Sequence, residues 1–220
     1  MNNTLIRMIV LLAVAGGVML SATSAFAGSD TFNRPTLGKT WVVTAGSLSI
    51  SNHQLVGATG SLGYLKASST AKAASAVVFL GGTDLEYGAV ALGNIAAGSN
   101  AFVKIQAQSG VGTFDHAAFY IGNNGAGNFF TLSSPVPSPA ILDVFFCGTT
   151  ATMRITSAAG VQTYTYNYGT TYGPGAGLGT FGSVELDNYV NFPIVSGCND
   201  ALNAVPATEM PSDRDLSLAE

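Results

Sequence analysis

Alternation of apolar and polar residues is the dominant pattern of this chain. It is clearest at 101–108, where Lys104, Gln106, Gln108 and Phe102 lie on one face. The smaller apolar residues of this segment lie on the opposite face. A period of two is typical of a half-buried β-strand, and no stretch shows a sustained helical period. Similar runs occur at 76–80, 87–95, 116–121, 141–147, 150–156, 162–168 and 184–191.

Turn signals rich in glycine and asparagine separate these runs, and together they predict the fold class. Many short strands joined by such turns are typical of an all-β protein, either an antiparallel two-sheet β-sandwich or a barrel. Hairpins near Gly148 and Gly160 predict a three-stranded meander over 141–168. The segment 133–139 contains three prolines. It is predicted to be a loop, because proline cannot donate to a strand ladder.

The two termini differ from this pattern. Residues 1–27 predict a secretory signal peptide, with Arg7, an apolar stretch at 8–20 and an Ala-Phe-Ala cleavage site at 25–27. That stretch is shorter than the about 20 residues that a membrane-spanning helix needs, and no membrane span is expected. We therefore expect a secreted or periplasmic protein with a β-sandwich over 28–198. Residues 199–220 are acidic and polar, which predicts a disordered tail after at most one helical turn near 201–204.

Composition and charge narrow the expected partners. Only 9% of residues are charged. Without residues 1–27 the chain has 7 Lys+Arg and 12 Asp+Glu, a net charge of −5, and −4 of this lies in the acidic tail, so the body is almost neutral. Nucleic acids and anionic membranes need a cationic surface, so neither is expected. The two cysteines of an exported chain, Cys147 and Cys198, predict one disulfide. Two free buried thiols are the alternative.

The body also resembles a known superfamily. Near its start stand an Asp-x-Phe-x-Arg motif at 30–34 and a Leu-Gly-x-x-Trp motif at 37–41, and near its end stands the pair Asp187-Asn188. These motifs resemble the first and last strands of bacterial concanavalin A-like lectin/glucanase domains, which are laminin G-like jelly rolls. The resemblance implies a jelly roll over about 29–192, with Trp41 in the core. It does not imply one activity, because such domains serve as lectins, adhesins, glycoside hydrolases and structural modules.

Catalytic carboxylates are the first chemistry that the resemblance raises. Laminarinase-like members carry Glu-x-Asp-x-x-Glu on one strand, and the nearest match is 185–190, where Val190 replaces the general acid. Retaining hydrolysis needs two carboxyls about 5–5.5 Å apart. Asp84 and Glu86 form a second pair at the start of a strand. A polar edge or turn is the favoured interpretation of both pairs, so no catalytic residue is predicted.

Calcium is the one metal for which the sequence offers candidate ligands. First and last strands pair in sandwiches of this kind, which would bring Asp30 near Asp187 and Asn188 as candidate ligands of a structural Ca²⁺. The favoured alternative is that these aspartates cap turns or bind a nearby arginine and backbone amides, since Ca²⁺ takes six to eight oxygens. No other cofactor is expected. His53 and His116 lack metal-ligand spacing and are expected at the surface or in turns.

Aromatic residues are the candidate ligand contacts. Tyrosines at 164, 166 and 168 share one face of a predicted strand, and the opposite face carries threonines and an asparagine. The tyrosines are therefore expected to point inward. Aromatic residues beside Gly-rich loops are better placed to form a ligand rim. The candidate ligand-binding residues are Tyr172, Phe129, Phe130 and Asn128.

These observations predict an exported, non-enzymatic binding or adhesion module with an extracellular or cell-wall glycan as its expected partner. Two alternatives stay open. One is a structural component of an extracellular matrix or fibre, which would self-associate. The other is a divergent glycan-active enzyme.

Overall fold

The computed structural model describes residues 28–57, 61–65, 70–109, 112–122 and 125–193. Within these ranges the chain forms antiparallel strands and one 3-10 turn, Ile95–Ala97. In chain order the strands are β1 (Gly28–Asp30), β2 (Trp41–Ala45), β3 (Leu48–Ser51), β4 (Gln54–Gly57), β5 (Ser61–Leu65), β6 (Ala73–Phe79), β7 (Tyr87–Asn94), β8 (Ser99–Gln106), β9 (Thr113–Ile121), β10 (Gly127–Pro137), β11 (Ala140–Cys147), β12 (Thr150–Ser157), β13 (Gly160–Asn167), β14 (Ala176–Phe181) and β15 (Glu185–Phe192).

These strands form two sheets that pack as a sandwich. The eight-stranded sheet has the order β13-β12-β11-β6-β15-β4-β3, with β1 paired to β15. The seven-stranded sheet has the order β10-β9-β8-β7-β14-β5-β2. Strands distant in sequence are neighbours in both sheets: β6 pairs with β15 in the first, and β7 pairs with β14 in the second. The fold is therefore a jelly-roll β-sandwich, and the predicted all-β, two-sheet class is confirmed.

The core lies between the sheets and draws on the alternation that the sequence shows. Val103 and Ile105 of β8 share one buried cluster with Leu142 of β11 and Met153 of β12. Trp41 belongs to the same cluster, as predicted. Because successive side chains of a strand point to opposite faces, the residues between these core positions lie on the outer faces of the sheets.

The predicted meander is confirmed, and the predicted proline loop is wrong. Strands β11, β12 and β13 pair in succession, with tight turns after Cys147 and Ser157. The prolines at 135 and 137 instead belong to β10, which runs to Pro137. This strand is the edge of its sheet, and its register with β9 shifts between Thr131 and Val136. An irregular edge strand tolerates proline because it does not need every N–H for the ladder.

The edges of the two sheets meet at β10 and β13. The backbone N–H of Ser133 donates to the Tyr164 hydroxyl at 2.8 Å, and the Gln162 side-chain amide donates to the Ser134 carbonyl at 2.9 Å. Tyr164 and Tyr166 are half-buried against the core, and Tyr168 is buried. The prediction that this tyrosine row points inward is confirmed.

Several predictions fall on other parts of the chain. The signal peptide at 1–27, the tail at 199–220 with its turn near 201–204, and Cys198 lie outside the described residues. Cys147 ends β11, and its disulfide with Cys198 stays a prediction, as does export. No helix among the residues that the structure describes is long and apolar enough to cross a membrane.

Candidate functional site

The outer face of the seven-stranded sheet carries a cluster of aromatic and polar side chains that we call the aromatic platform. Strand register places its members side by side. Tyr87 of β7 pairs with Gln106 of β8, which pairs with His116 of β9. Lys104 of β8 lies in the next row on this face, across Ala118 from Phe129 of β10. The platform comprises Tyr87, Lys104, Gln106, His116, Tyr120 and Phe129.

Lys104 occupies the centre of the platform. Its Nζ lies 4.3 Å from the ring centre of Tyr87, 5.4 Å from that of Tyr120 and 5.6 Å from that of Phe129. The ammonium also donates to Oε1 of Gln106. The residue is only 9% exposed, and this burial lowers the pKa of its amine to about 8. Most molecules therefore carry the positive charge at pH 7, where the ring faces attract it.

Phe129 is the most exposed ring of the platform, at 42%. It stacks on His116, with ring centres 5.0 Å apart and planes 6° from parallel. Asp115 Oδ1 lies 3.0 Å from His116 Nδ1, and the Thr131 hydroxyl lies 3.2 Å from Nε2. These contacts hold the imidazole, and the imidazole supports the phenyl ring. His116 lies on the outer face of the sheet as a half-buried strand residue, and not in a turn.

The remaining rings rest on a small apolar cluster. Tyr87 and Tyr120 pack against buried residues of the outer face that include Ala89, Ala91 and Phe102. Tyr87 also stacks on Phe181 of β14, with ring centres 5.4 Å apart. Packing against this apolar cluster fixes the orientation of both tyrosine rings. Rigid rings bordered by amide, hydroxyl and ammonium groups can stack on a sugar ring and bind its hydroxyls.

The structure places the residues of the predicted ligand rim in different surroundings. Phe129 and Phe130 are consecutive residues of β10, so they face opposite sides of the sheet. Phe130 is half-buried beside Phe119, with ring centres 6.0 Å apart, whereas Phe129 faces outward on the platform. Asn128 is exposed near the start of β10.

The expected exposure of Tyr172 is wrong. The residue is only 7% exposed, and its ring contacts Phe146 and Tyr168 with centres 5.4 and 5.5 Å away. Its carbonyl accepts a hydrogen bond from Lys72 Nζ at 2.6 Å. The ring fills the end of the core, although Gly173 and Pro174, which follow it, are exposed. Tyr172 therefore cannot present a ring to a ligand in this conformation.

The Asp-x-Phe-x-Arg motif has a structural role. The carboxylate of Asp30 accepts hydrogen bonds from the Phe32 N–H at 2.8 Å, from both terminal nitrogens of Arg34 at 2.7 and 2.6 Å, and from Trp41 Nε1 at 2.6 Å. Burial opposes ionisation of this carboxyl, but the bonds from Arg34 and Trp41 outweigh it and lower its pKa. Phe32 has a φ of 52°, which is rare for a bulky residue.

The candidate calcium ligands lie on two paired strands. β1 pairs with β15, as expected, and Asp30 lies opposite Tyr189. The four donors occupy both oxygens of Asp30, so this carboxylate does not fit a calcium ligand. Asp187 Oδ1 accepts the Asn188 N–H at 2.7 Å, beside a register shift in β15. Calcium binding stays a prediction, and no group of three His, Cys, Asp or Glu side chains suited to a metal occurs within the described ranges.

Neither carboxylate pair lies on the platform. Glu185 and Asp187 belong to β15, an inner strand of the other sheet, so the interpretation as a polar edge is wrong for them. Glu86 is buried and accepts the N–H groups of Gly82 and Thr83 at 2.8 and 3.1 Å. It therefore organises a turn, as predicted. None of the six platform residues is Asp or Glu. Asp115 contacts His116 but also accepts the Gln108 N–H and the Ser109 hydroxyl, so the platform itself lacks the two carboxyls of a retaining glycosidase.

Comparisons with known proteins support the fold. No protein-family model and no curated protein matches the sequence. The structure is similar to the carbohydrate-binding module CBM66 from Bacillus subtilis, with a TM-score of 0.50 and 14% identity over 70% of this chain and 95% of that one. It is also similar to lectin II from Ulex europaeus, with a TM-score of 0.51 and 13% identity over 75% and 97% of the two chains. A third similar structure is the apo Crh5 transglycosylase, with a TM-score of 0.51 and 14% identity over 77% and 84%.

These likenesses support the two-sheet jelly-roll β-sandwich and are consistent with a concanavalin-like fold. At such low identity they establish the fold alone. The similar structures include a carbohydrate-binding module, a lectin and an enzyme. The fold alone therefore does not distinguish a binding function from a catalytic one.

Sequence reasoning missed most of the platform. The alternating pattern marks Lys104 and Gln106 only as the solvent-facing side of a strand, and it does not distinguish Tyr87 or Tyr120 from other strand residues. One signal was present: Phe102 and Lys104 share the polar side of 101–108. A large aromatic residue on an otherwise polar face indicates that part of that face is covered by other side chains or contacts a ligand.

Proposed function

We propose that this protein is an exported, non-enzymatic carbohydrate-binding module whose binding surface is the aromatic platform. The observation that carries the proposal is Phe129, a partly exposed ring held on His116 and bordered by polar groups. A pyranose ring has an apolar face of C–H groups and a rim of hydroxyls. It matches a flat aromatic side chain with hydrogen-bond donors and acceptors around it.

The polar groups beside Phe129 are ordered before any ligand arrives. Gln106 accepts from Lys104 and donates from Nε2 to Gln108 Oε1 at 2.6 Å. The Thr131 hydroxyl lies against His116. Side chains that are already fixed lose little conformational entropy on binding, which favours affinity.

Two features separate this proposal from the alternatives. The described platform offers an ammonium, amides and hydroxyls but no carboxyl pair, so it favours binding over glycoside hydrolysis. Its exposed aromatic surface is centred on one phenyl ring, which suits a small ligand better than a broad self-association interface of the usual size.

We expect Phe129→Ala to weaken retention on the glycan that the protein binds best. Loss of one stacking ring costs about 1–3 kcal/mol by analogy with base–aromatic stacking, which is about 5- to 150-fold in affinity. The melting temperature should change little, because the ring lies at the surface. Retention of the purified mature protein on an array of plant, fungal and bacterial polysaccharides identifies the glycan, and titration of the variant measures the loss.

Val161→Ala is the matched control, because Val161 is a 60% exposed apolar residue on β13 of the other sheet. It should bind the glycan as the unmodified protein does. Equal binding by Phe129→Ala would rule out the platform. Release of reducing sugars during the assay would favour an enzyme, and self-association without glycan retention would favour a structural component.

A further inference from the structure

Lys104 differs from the other buried charged groups of the described chain in how its charge is satisfied. Asp30 pairs with Arg34 at 2.6 Å, and Asp143 pairs with Arg154 at 2.7 Å. Lys104 forms no salt bridge with any carboxylate of the described chain, although it is as well buried as Asp30. Glu86 also has no salt bridge within the described residues, but its carboxylate accepts the N–H groups of Gly82 and Thr83 at 2.8 and 3.1 Å. Buried charges in proteins are ordinarily paired. Among the described residues, the positive charge of the platform therefore has no counter-ion.

The groups around the ammonium satisfy it only in part. An ammonium has three N–H donors, and among the described groups Gln106 Oε1 is the hydrogen-bond acceptor it reaches. The other contacts are the faces of Tyr87, Tyr120 and Phe129. Ring faces attract a cation, but they do not replace hydrogen bonds to an anion, which are stronger.

Asp115, the carboxylate that contacts His116 of the platform, is already engaged by other groups. Asp115 accepts the Gln108 N–H at 2.7 Å and the Ser109 hydroxyl at 2.9 Å, and it contacts His116. It therefore orders the end of β8 and the imidazole. The charge of Lys104 is left facing the same surface as the exposed ring of Phe129, 5.6 Å away.

We infer that the platform binds an anionic saccharide, in which one sugar unit carries a carboxylate or a sulfate. The anion pairs with Lys104 while the sugar ring lies against Phe129. One cation suits one monoanionic group, and Gln106 lies beside it to orient a neighbouring hydroxyl. This inference rests on the proposed function and specifies the class of glycan.

The test compares acidic polysaccharides with neutral ones on the unmodified mature protein. The acidic probes are polygalacturonate, alginate and carrageenan, and the neutral probes are laminarin, xylan and fully methyl-esterified polygalacturonate. We expect binding to polygalacturonate or alginate if the anion is a carboxylate, and to carrageenan if it is a sulfate. Neutralising the anion should weaken binding by about 10- to 150-fold, the range for a charge-assisted hydrogen bond. This comparison needs no variant, so it does not depend on how a substitution folds.

Variants then assign the effect to Lys104. Lys104→Met should lower the affinity for the preferred acidic polysaccharide to about that of the unmodified protein for methyl-esterified polygalacturonate. Lys104→Arg should keep part of the affinity for the acidic polysaccharide, because the positive charge remains. Lys39→Met is the matched control, since Lys39 is exposed and its loss changes net charge equally. Binding of the preferred acidic probe should also fall as sodium chloride rises from about 50 to 500 mM, because salt screens ion pairs.

The outcomes separate this inference from the proposed function. Binding to neutral probes alone, or equal binding to polygalacturonate and its methyl ester, overturns the anionic ligand and leaves glycan binding intact. The inference of an anionic ligand is also overturned if Lys104→Met lowers the affinity for acidic and for neutral polysaccharides equally. In that case Lys104 would only support the aromatic rings. Binding to none of the probes or array glycans refutes the proposed function itself.

Discussion

Replacing Asp30 with alanine should lower the free energy of unfolding by about 2–5 kcal/mol, because each buried donor left unpaired costs about 1–3 kcal/mol. The Trp41 indole N–H and the Phe32 N–H both lose their acceptor. Arg34 is one-third exposed and can turn to water, so the two buried donors account for most of the loss. Urea unfolding followed by tryptophan fluorescence measures the change, because Trp41 is the only tryptophan.

The pH dependence gives this prediction a second readout. The pKa of Asp30 is lower in the folded protein than in the unfolded chain, so its ionised form contributes stability above the unfolded value. That contribution is lost as the pH falls below about 4. Asp30→Asn should lack this acid-sensitive component, and Asp84→Asn, at an exposed position, should retain it. An Asp30→Ala variant as stable as the unmodified protein would contradict the assigned role.

Replacing Phe119 with alanine should also destabilise the fold strongly. Phe119 is fully buried and stacks on Phe130 and Tyr166, with ring centres 6.0 and 5.6 Å away. It thus joins β9 and β10 of one sheet to β13 of the other. A Phe-to-Ala change in a core costs about 3–5 kcal/mol through lost burial and the cavity that remains. Chemical unfolding followed by circular dichroism measures the effect.

Phe119→Leu is the matched comparison, because it keeps most of the apolar volume and should cost much less. Val161→Ala, at a surface position, should change stability little. If Phe119→Ala unfolds at the same urea concentration as the unmodified protein, the two sheets do not pack through this aromatic cluster.

The sequence predicted the strands well because alternation is a local property. The run at 101–108 matches β8, and the runs at 141–168 match three successive strands within one or two residues. The segment 133–139 was mispredicted, because whether a strand is an edge depends on its neighbours. Local sequence shows that proline disfavours a ladder, but it does not show that β10 has only one strand beside it.

The site was harder to predict for the same reason. The sequence singles out Phe129, which lies exposed on the platform, but it predicts an exposed Tyr172 only because a Gly-Pro-Gly turn follows that residue. The platform depends on the register of β7, β8, β9 and β10, which brings Tyr87 beside Gln106 and His116. No local pattern specifies that register. The Asp-x-Phe-x-Arg motif shows the converse: the sequence marks it clearly, and the structure explains it through the hydrogen bonds of Asp30.

The most direct test of the aromatic platform as a glycan-binding surface is a nuclear magnetic resonance titration. The labelled mature protein is titrated with an oligomer of the polysaccharide that it retains best on the array. We predict that the largest backbone amide shift changes map to Lys104, Gln106, Ala118 and Phe129. Changes confined to 169–175 or to the outer face of β11 and β12 would contradict the assignment, because those residues lie at the core end or on the other sheet.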